Sequence, residues 1–181
     1  MKILAIVGSL RTDSYNRQLA LLAKEAVGGR ADFELLEYAD IPYMNEDIEF
    51  PAPEAVARVR EAVKSADGVW FFTPEYNHFF PGVLKNLIDW LSRPVGDAER
   101  QVLFGKPAAI SGVSSGMGGT VCAQDHLVTL LSLLNMRVMN VPRLTIPNAG
   151  QQLDGDGKLA LTSSKKYLER QADAFIRFLG D

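Results

Sequence analysis

The stretch ILAIVGSLRTDSYN, residues 3–16, decides how the rest of the chain is read. Residues 3–7 form a continuous apolar run, the pattern of a strand covered on both faces. Residues 8–16 then gather Gly8, Ser9, Arg11, Thr12, Ser14 and Asn16, with Leu10 the only large aliphatic side chain. From residue 15 to 27 the period changes again. Leu19, Leu22, Ala23 and Ala26 recur at helical spacing, and Gly28-Gly29 ends the run. A buried strand, a polar loop and an amphipathic helix in direct succession are the opening of a βαβ unit.

Working outward, the alternation repeats. Residues 33–36 predict a second strand. After a loop bearing Pro42, Pro51 and Pro53, residues 54–65 predict a helix with Ala55, Val59, Ala62 and Val63 inward. GVWFFT (68–73) reads as a buried strand, PEYN (74–77) as a turn, and residues 81–91 as a helix with Pro81 in its first turn, where proline is tolerated. Residues 107–111 predict the fourth strand, GVSSGMGG (112–119) a loop, 120–134 a helix and 137–141 the fifth strand. The last helix, about 161–179, carries Tyr167, Leu168, Ala172, Phe175 and Leu179 along one face. Five strands alternating with five helices predict an α/β protein of one domain over residues 1–181: a five-stranded parallel sheet of flavodoxin-like order 2-1-3-4-5, helices on both faces.

Composition narrows the function. The 181 residues are 47% hydrophobic and 23% charged with a net charge of −3, so no basic surface advertises nucleic acid or anionic lipid. Cys122 is the only cysteine, which excludes an intrachain disulfide and suits a reducing compartment. No apolar run reaches membrane-span length and no signal-peptide pattern opens the sequence, so a cytoplasmic protein is expected. With only His78 and His126 beside that cysteine, no metal site is expected.

The strand order would place the loops after strands 1, 3 and 4 side by side at the topological switch point, where such sheets bind ligands. The first loop joins Ser9, Arg11, Ser14 and Asn16 to a helix N-terminus, a combination suited to a phosphate. A helix cap at Ser14 or Asp13 accounts for one of those polar residues, not for all. The spacing lacks G-x-G-x-x-G and G-K-[ST], so neither dinucleotide nor P-loop binding fits. In the second loop Pro74, Glu75, Tyr76 and Asn77 offer a rigid platform and polar groups for the edge of a flat ring, although an ordinary turn has similar residues. In the third, Ser114, Ser115, Gly116, Gly118 and Gly119 permit close backbone approach, as would a flexible loop. Together the loops describe a phosphate pocket beside a slot for a planar ring, the shape of flavin mononucleotide (FMN).

The segments GSLRTDSYNRQLA (8–20), TPEYNHFFPGVLKNLIDWLSRP (73–94) and SSGMGG (114–119) closely resemble the NADPH-dependent FMN reductase family, which includes bacterial chromate and quinone reductases and azoreductases. The resemblance implies that Ser9, Arg11, Ser14 and Asn16 hold the FMN phosphate. It assigns Pro74, Glu75, Tyr76 and Asn77 to the isoalloxazine and ribityl region, and Ser114, Ser115, Gly116 and Gly119 to the ring's remaining edge. It further implies ping-pong hydride transfer from NADPH or NADH to flavin N5, then to a small-molecule electron acceptor, with no catalytic side chain and no metal. A homodimer or homotetramer is expected. The third loop departs from the family's S-S-x-G-x-x-G-G spacing, and His78, Phe79 and Phe80 depart from what many relatives carry after PEYN. The alternative is a non-enzymatic flavodoxin-type electron carrier; Arg11 and the mild net charge argue against it.

Among the remaining features, LDGDGK (153–158) has Lys158 where a calcium loop needs an oxygen ligand, and reads as a turn. Cys122 is expected to be a buried small hydrophobe. Trp70, Phe71 and Phe72 are expected in the core. Tyr43, Met44 and Phe50 are expected either to cover a partner subunit's site or to pack as a plain loop.

Overall fold

In the computed structural model, which describes residues 1–96 and 99–181, strands and helices alternate along the chain. They are β1 (Lys2–Val7), α1 (Tyr15–Val27), β2 (Asp32–Leu35), α2 (Glu54–Ser65), β3 (Gly68–Phe72), α3 (Gly82–Leu91), β4 (Pro107–Val113), α4 (Val121–Leu133), β5 (Arg137–Val138), β6 (Leu144–Ile146) and α5 (Lys165–Gly180). The sheet runs β2-β1-β3-β4-β5, all parallel, with β6 also paired to β4. This is the expected flavodoxin-like order. Val7 is level with Phe72 and Phe72 with Ser111, so β1, β3 and β4 reach one edge together.

Strand residues alternate between the two faces. Leu4, Ile6, Val69, Phe71, Ala108 and Ile110 pack with α2, α3 and α4 through Val59, Val63, Leu84, Leu87, Ile88 and Leu127. Ile3, Ala5, Trp70, Phe72 and Ala109 pack with α1 and α5 through Leu19, Ala23, Leu168, Ala172 and Phe175. Trp70, Phe71 and Phe72 are fully buried, as expected of a strand covered on both sides. The second face also contains a satisfied polar chain. Trp70 Nε1 donates to Ser111 Oγ at 2.8 Å, Ser111 donates to Gln171 Oε1 at 2.6 Å, and Gln171 Nε2 donates to the carbonyls of Ile110 and Pro142.

Several boundaries differ from the sequence reading. The expected fifth strand at 137–141 is split: β5 stops at Val138, the chain leaves the sheet around Pro142, and β6 returns to pair with the end of β4. Proline has no N–H for a ladder, which favours a break there. Gly112 and Val113, expected in a loop, belong to β4 because β6 gives them a partner. Pro81 is the N-cap of α3 rather than a residue of its first turn, and the last helix starts at Lys165, after a turn in which Leu161 has φ 53°. LDGDGK is a turn closed by N–H groups of Asp156 and Lys158 on Asp154 Oδ1, each at 2.9 Å. Among the described residues, no helix is long and apolar enough to cross a membrane.

Candidate functional site

Three loops leave the common edge of β1, β3 and β4. Adjacent strands lie about 4.8 Å apart, so the outer loops start roughly 10 Å from each other, with PEYN between them. The loops enclose a cleft of about 880 Å³, lined by Ser9, Arg11, Ser14 and Asn16, by Pro74, Glu75, Tyr76 and Asn77, and by Ser114, Ser115, Gly116 and Gly119. Every candidate residue named from the sequence lies on this one cleft. Its size is that of a small-molecule or cofactor site.

The first loop is anchored from below. Gly8 N–H donates to the Phe72 carbonyl at 2.8 Å, and the Tyr38 hydroxyl donates to the Val7 carbonyl at 2.5 Å. Burial pushes the Tyr38 phenol well above its usual range, with Glu37 adding to the shift. Ser14 caps α1, accepting from Arg17 N–H at 3.4 Å. The first N–H groups of α1 have no carbonyl behind them in the helix and carry its positive dipole end toward the cleft. Arg11 is exposed, with its guanidinium 5.6 Å from the centre of the Tyr15 ring. Arg17 pairs with Glu37 at 2.7 Å, whereas Arg11 has no carboxylate partner among the described residues. Asn16 is buried, and its amide clasps β4: Nδ2 donates to Val113 O at 2.9 Å and Oδ1 accepts from Val113 N–H at 3.1 Å. It therefore ties the first loop to the third.

PEYN opens a two-residue hairpin. Tyr76 and Phe79 exchange both backbone hydrogen bonds, at 2.9 and 3.0 Å, and the central residues Asn77 and His78 have φ of 53° and 60°. This is a type I′ turn, in which asparagine is favoured at the first position. Glu75 points back toward α4, where Oε2 accepts from Ala123 N–H at 3.0 Å and caps the helix. The third loop is held by Ser114 N–H on Ile146 O, Ala149 N–H on Ser114 O and Asn148 N–H on Gly116 O, all 3.0–3.1 Å, and by Ser114 Oγ on Gly119 O. The left-handed φ of 61° at residue 119 favours glycine there. A Cβ at Gly118 would meet nothing within 4 Å, and one at Gly116 only Ser114 Oγ at 3.9 Å. Packing within the protein thus gives no reason for glycine at these two positions, whereas a ligand lying against the backbone would. Neutral and cationic donors at one loop, flat backbone at the next and bare glycines at the last fit a phosphorylated planar cofactor such as FMN.

The cleft also has walls that the sequence reading missed: Tyr15, His78, Val113, Met117, Val121 and Cys122, while Gly118 lines it as the third loop suggested. Cys122 is exposed and not buried as expected. Apolar residues surround nearly the whole of α4, so helical period could not identify its inner face. The position of His78 beside PEYN was the available signal for that residue. Glu37, two residues past β2, is occupied with Arg17 and lies outside the cleft.

Comparison with known proteins agrees with this geometry. Residues 1–151 match the family described as NADPH-dependent FMN reductase. The chain is 36% identical over 181 residues to a 2-hydroxy-1,4-benzoquinone reductase of Burkholderia, covering 100% of this chain and 97% of the relative. It is 41% identical over 175 residues to an NAD(P)H-dependent FMN reductase of Pseudomonas aeruginosa, covering 96% and 92%. Among solved structures, the flavoenzyme NAD(P)H:(acceptor) oxidoreductase FerB of Paracoccus denitrificans superposes with a TM-score of 0.89 at 35% identity, over 99% of this chain and 97% of that one. On fold, cleft and sequence alike, the chain belongs to the NADPH-dependent FMN reductase family and is an oxidoreductase of that family.

Proposed function

We propose that the chain uses FMN to take hydride from NADPH or NADH and to reduce a small-molecule acceptor: a quinone above all, with azo compounds, chromate and free flavin in the same range. The observation that carries this reading is the convergence of the three loops on one open cleft. Bound FMN would supply the redox chemistry, a two-electron exchange between nicotinamide and acceptor. The protein's task is to bind, orient and leave one face open. Ser9, Arg11 and Ser14, with the N–H groups at the start of α1, hold the phosphate. Asn16 fixes that loop through β4 and so sets the phosphate site's distance from the rest of the cleft. Pro74, Tyr76 and Asn77 carry the planar ring, and Glu75 holds the turn against α4. Ser114, Ser115, Gly116 and Gly119 receive its other edge. Backbone N–H groups of these two loops would offer hydrogen-bond donors to the edge of the bound ring.

This scheme needs no nucleophile or dedicated base. The protein works as one domain in the cytoplasm, as a homodimer or homotetramer. Steady-state kinetics test the sequence of events. Parallel initial-velocity lines for varied NADPH at several quinone concentrations are expected, and intersecting lines contradict the two-half-reaction scheme.

A further inference from the structure

Across the cleft from the phosphate loop, Glu75, His78 and Cys122 place a carboxylate oxygen, an imidazole nitrogen and a thiol sulfur within 4.8 Å of one another. The three come from two separate elements, the PEYN hairpin and the first turn of α4. The same contact brings them together: Glu75 Oε2 accepts from Ala123 N–H at 3.0 Å, and Ala123 follows Cys122 directly. Oε1 is left facing His78 Nδ1 at 3.5 Å. His78 takes its left-handed φ of 60° as the second central residue of the type I′ turn.

We propose that Glu75, His78 and Cys122 form a binding site for a soft divalent cation, and that zinc is the ion their chemistry fits. Sulfur, nitrogen and oxygen in one set exclude magnesium and calcium, which take oxygen ligands. Zinc accepts all three, at distances that put tetrahedral donors about 3.3–3.7 Å apart. The Glu75–His78 separation already matches. The thiol closes the remaining gap by rotation of exposed side chains, since His78 and Cys122 are both exposed. Thiolate and carboxylate together balance the charge of the ion. Glu75 is oriented by the backbone of α4, the kind of outer contact that fixes a metal ligand. Three protein ligands leave a fourth position for water or for an oxygen of whatever fills the cleft. A simple His78–Glu75 ion pair does not account for the cysteine, and His78's side chain is 85% exposed, where such a pair contributes little.

All three groups line the cleft assigned to the flavin, so metal content and thiol reactivity, which do not depend on reductase activity, are the quantities to measure. Protein as purified, stripped of adventitious metal with a chelator, is equilibrated with zinc chloride by dialysis. One zinc per chain is expected, undisturbed by a large excess of magnesium. His78→Ala and Cys122→Ala, with folding checked by circular dichroism, are each expected to weaken binding at least about tenfold. Cys122 is the chain's only cysteine, so its alkylation by iodoacetamide reports this site alone. Saturating zinc is expected to slow alkylation at least tenfold in the unaltered protein and not in His78→Ala. Absence of stoichiometric zinc binding, unprotected Cys122 in the presence of zinc, or unchanged affinity in both variants would overturn the proposal.

Discussion

Asn16 shows how much one residue can carry in this fold. Its amide satisfies both the N–H and the C=O of Val113, locking the first loop to the end of β4. Asn16→Ala leaves two backbone groups without partners in a dry site, each costing about 1–3 kcal/mol. Urea unfolding should register a loss of about 2 kcal/mol or more, and the variant should retain less flavin. Tyr38 acts on the same loop from the other side, through Val7. Its phenol is raised above the ordinary 10.0, so the neutral form is favoured by folding. The resulting stability is complete below pH 10 and declines as pH rises beyond it. Tyr38→Phe should therefore be less stable at neutral pH by about 1 kcal/mol for the lost bond, and its thermal midpoint should fall less between pH 9 and 11 than the parent's. At this scale the sequence was informative about residue types. Serine, arginine and glycine in the loops pointed to the cleft they line. It could not tell that Asn16 would use its amide on the backbone, or that Cys122 would face outward, because both depend on which element lies opposite.

At the scale of elements, α1, α3, α5 and the central strands followed directly from hydrophobic period, and α2 fell at the expected limits. Period is strong where one face of a helix meets a sheet or a strand is covered twice. It failed at β5, where two short strands share one neighbour and only pairing with β4 defines them. Gly112 lies at that junction. A Cβ there would collide with Thr120 Oγ1 and with the Thr73 carbonyl and lie 2.9 Å from Thr120 Cβ; rotating the hydroxyl away relieves only the first, and the Thr73 carbonyl cannot yield without moving the end of β3. Gly112→Ala should lower the thermal midpoint sharply and reduce flavin content, while Gly118→Ala, facing open space, should leave stability unchanged. Equal stability of the Gly112 variant and its parent would contradict this packing account. Glu75 links two elements as the cap of α4. Glu75→Ala should cost about 1 kcal/mol in denaturant unfolding, the usual value of an N-cap.

For the whole molecule, strand order is what turns scattered motifs into a site. GSLRTDSYN, PEYN and SSGMGG are far apart in sequence and meet because β1, β3 and β4 are neighbours of equal reach. That convergence was legible in advance, since a doubly wound sheet permits few strand orders. The surface was less legible. Met117 is 86% exposed, Leu133 76% and Val141 80%, all on α4 or the loops beside it, and Tyr43 is 89% exposed on the loop after β2. These exposed apolar side chains would lose water contact in the proposed homo-oligomer. Sedimentation equilibrium is expected to give a dimer or tetramer, and a monomer at micromolar concentration would contradict it.

The reductase reading meets its most direct test in anaerobic mixing of the yellow, flavin-loaded protein with a single reduced nicotinamide. Rapid bleaching by NADPH or NADH, followed by return of colour when a quinone is added, is the predicted result. A flavin that stays yellow with both nucleotides, yet bleaches with dithionite, would contradict a hydride-accepting reductase and leave the protein an electron carrier.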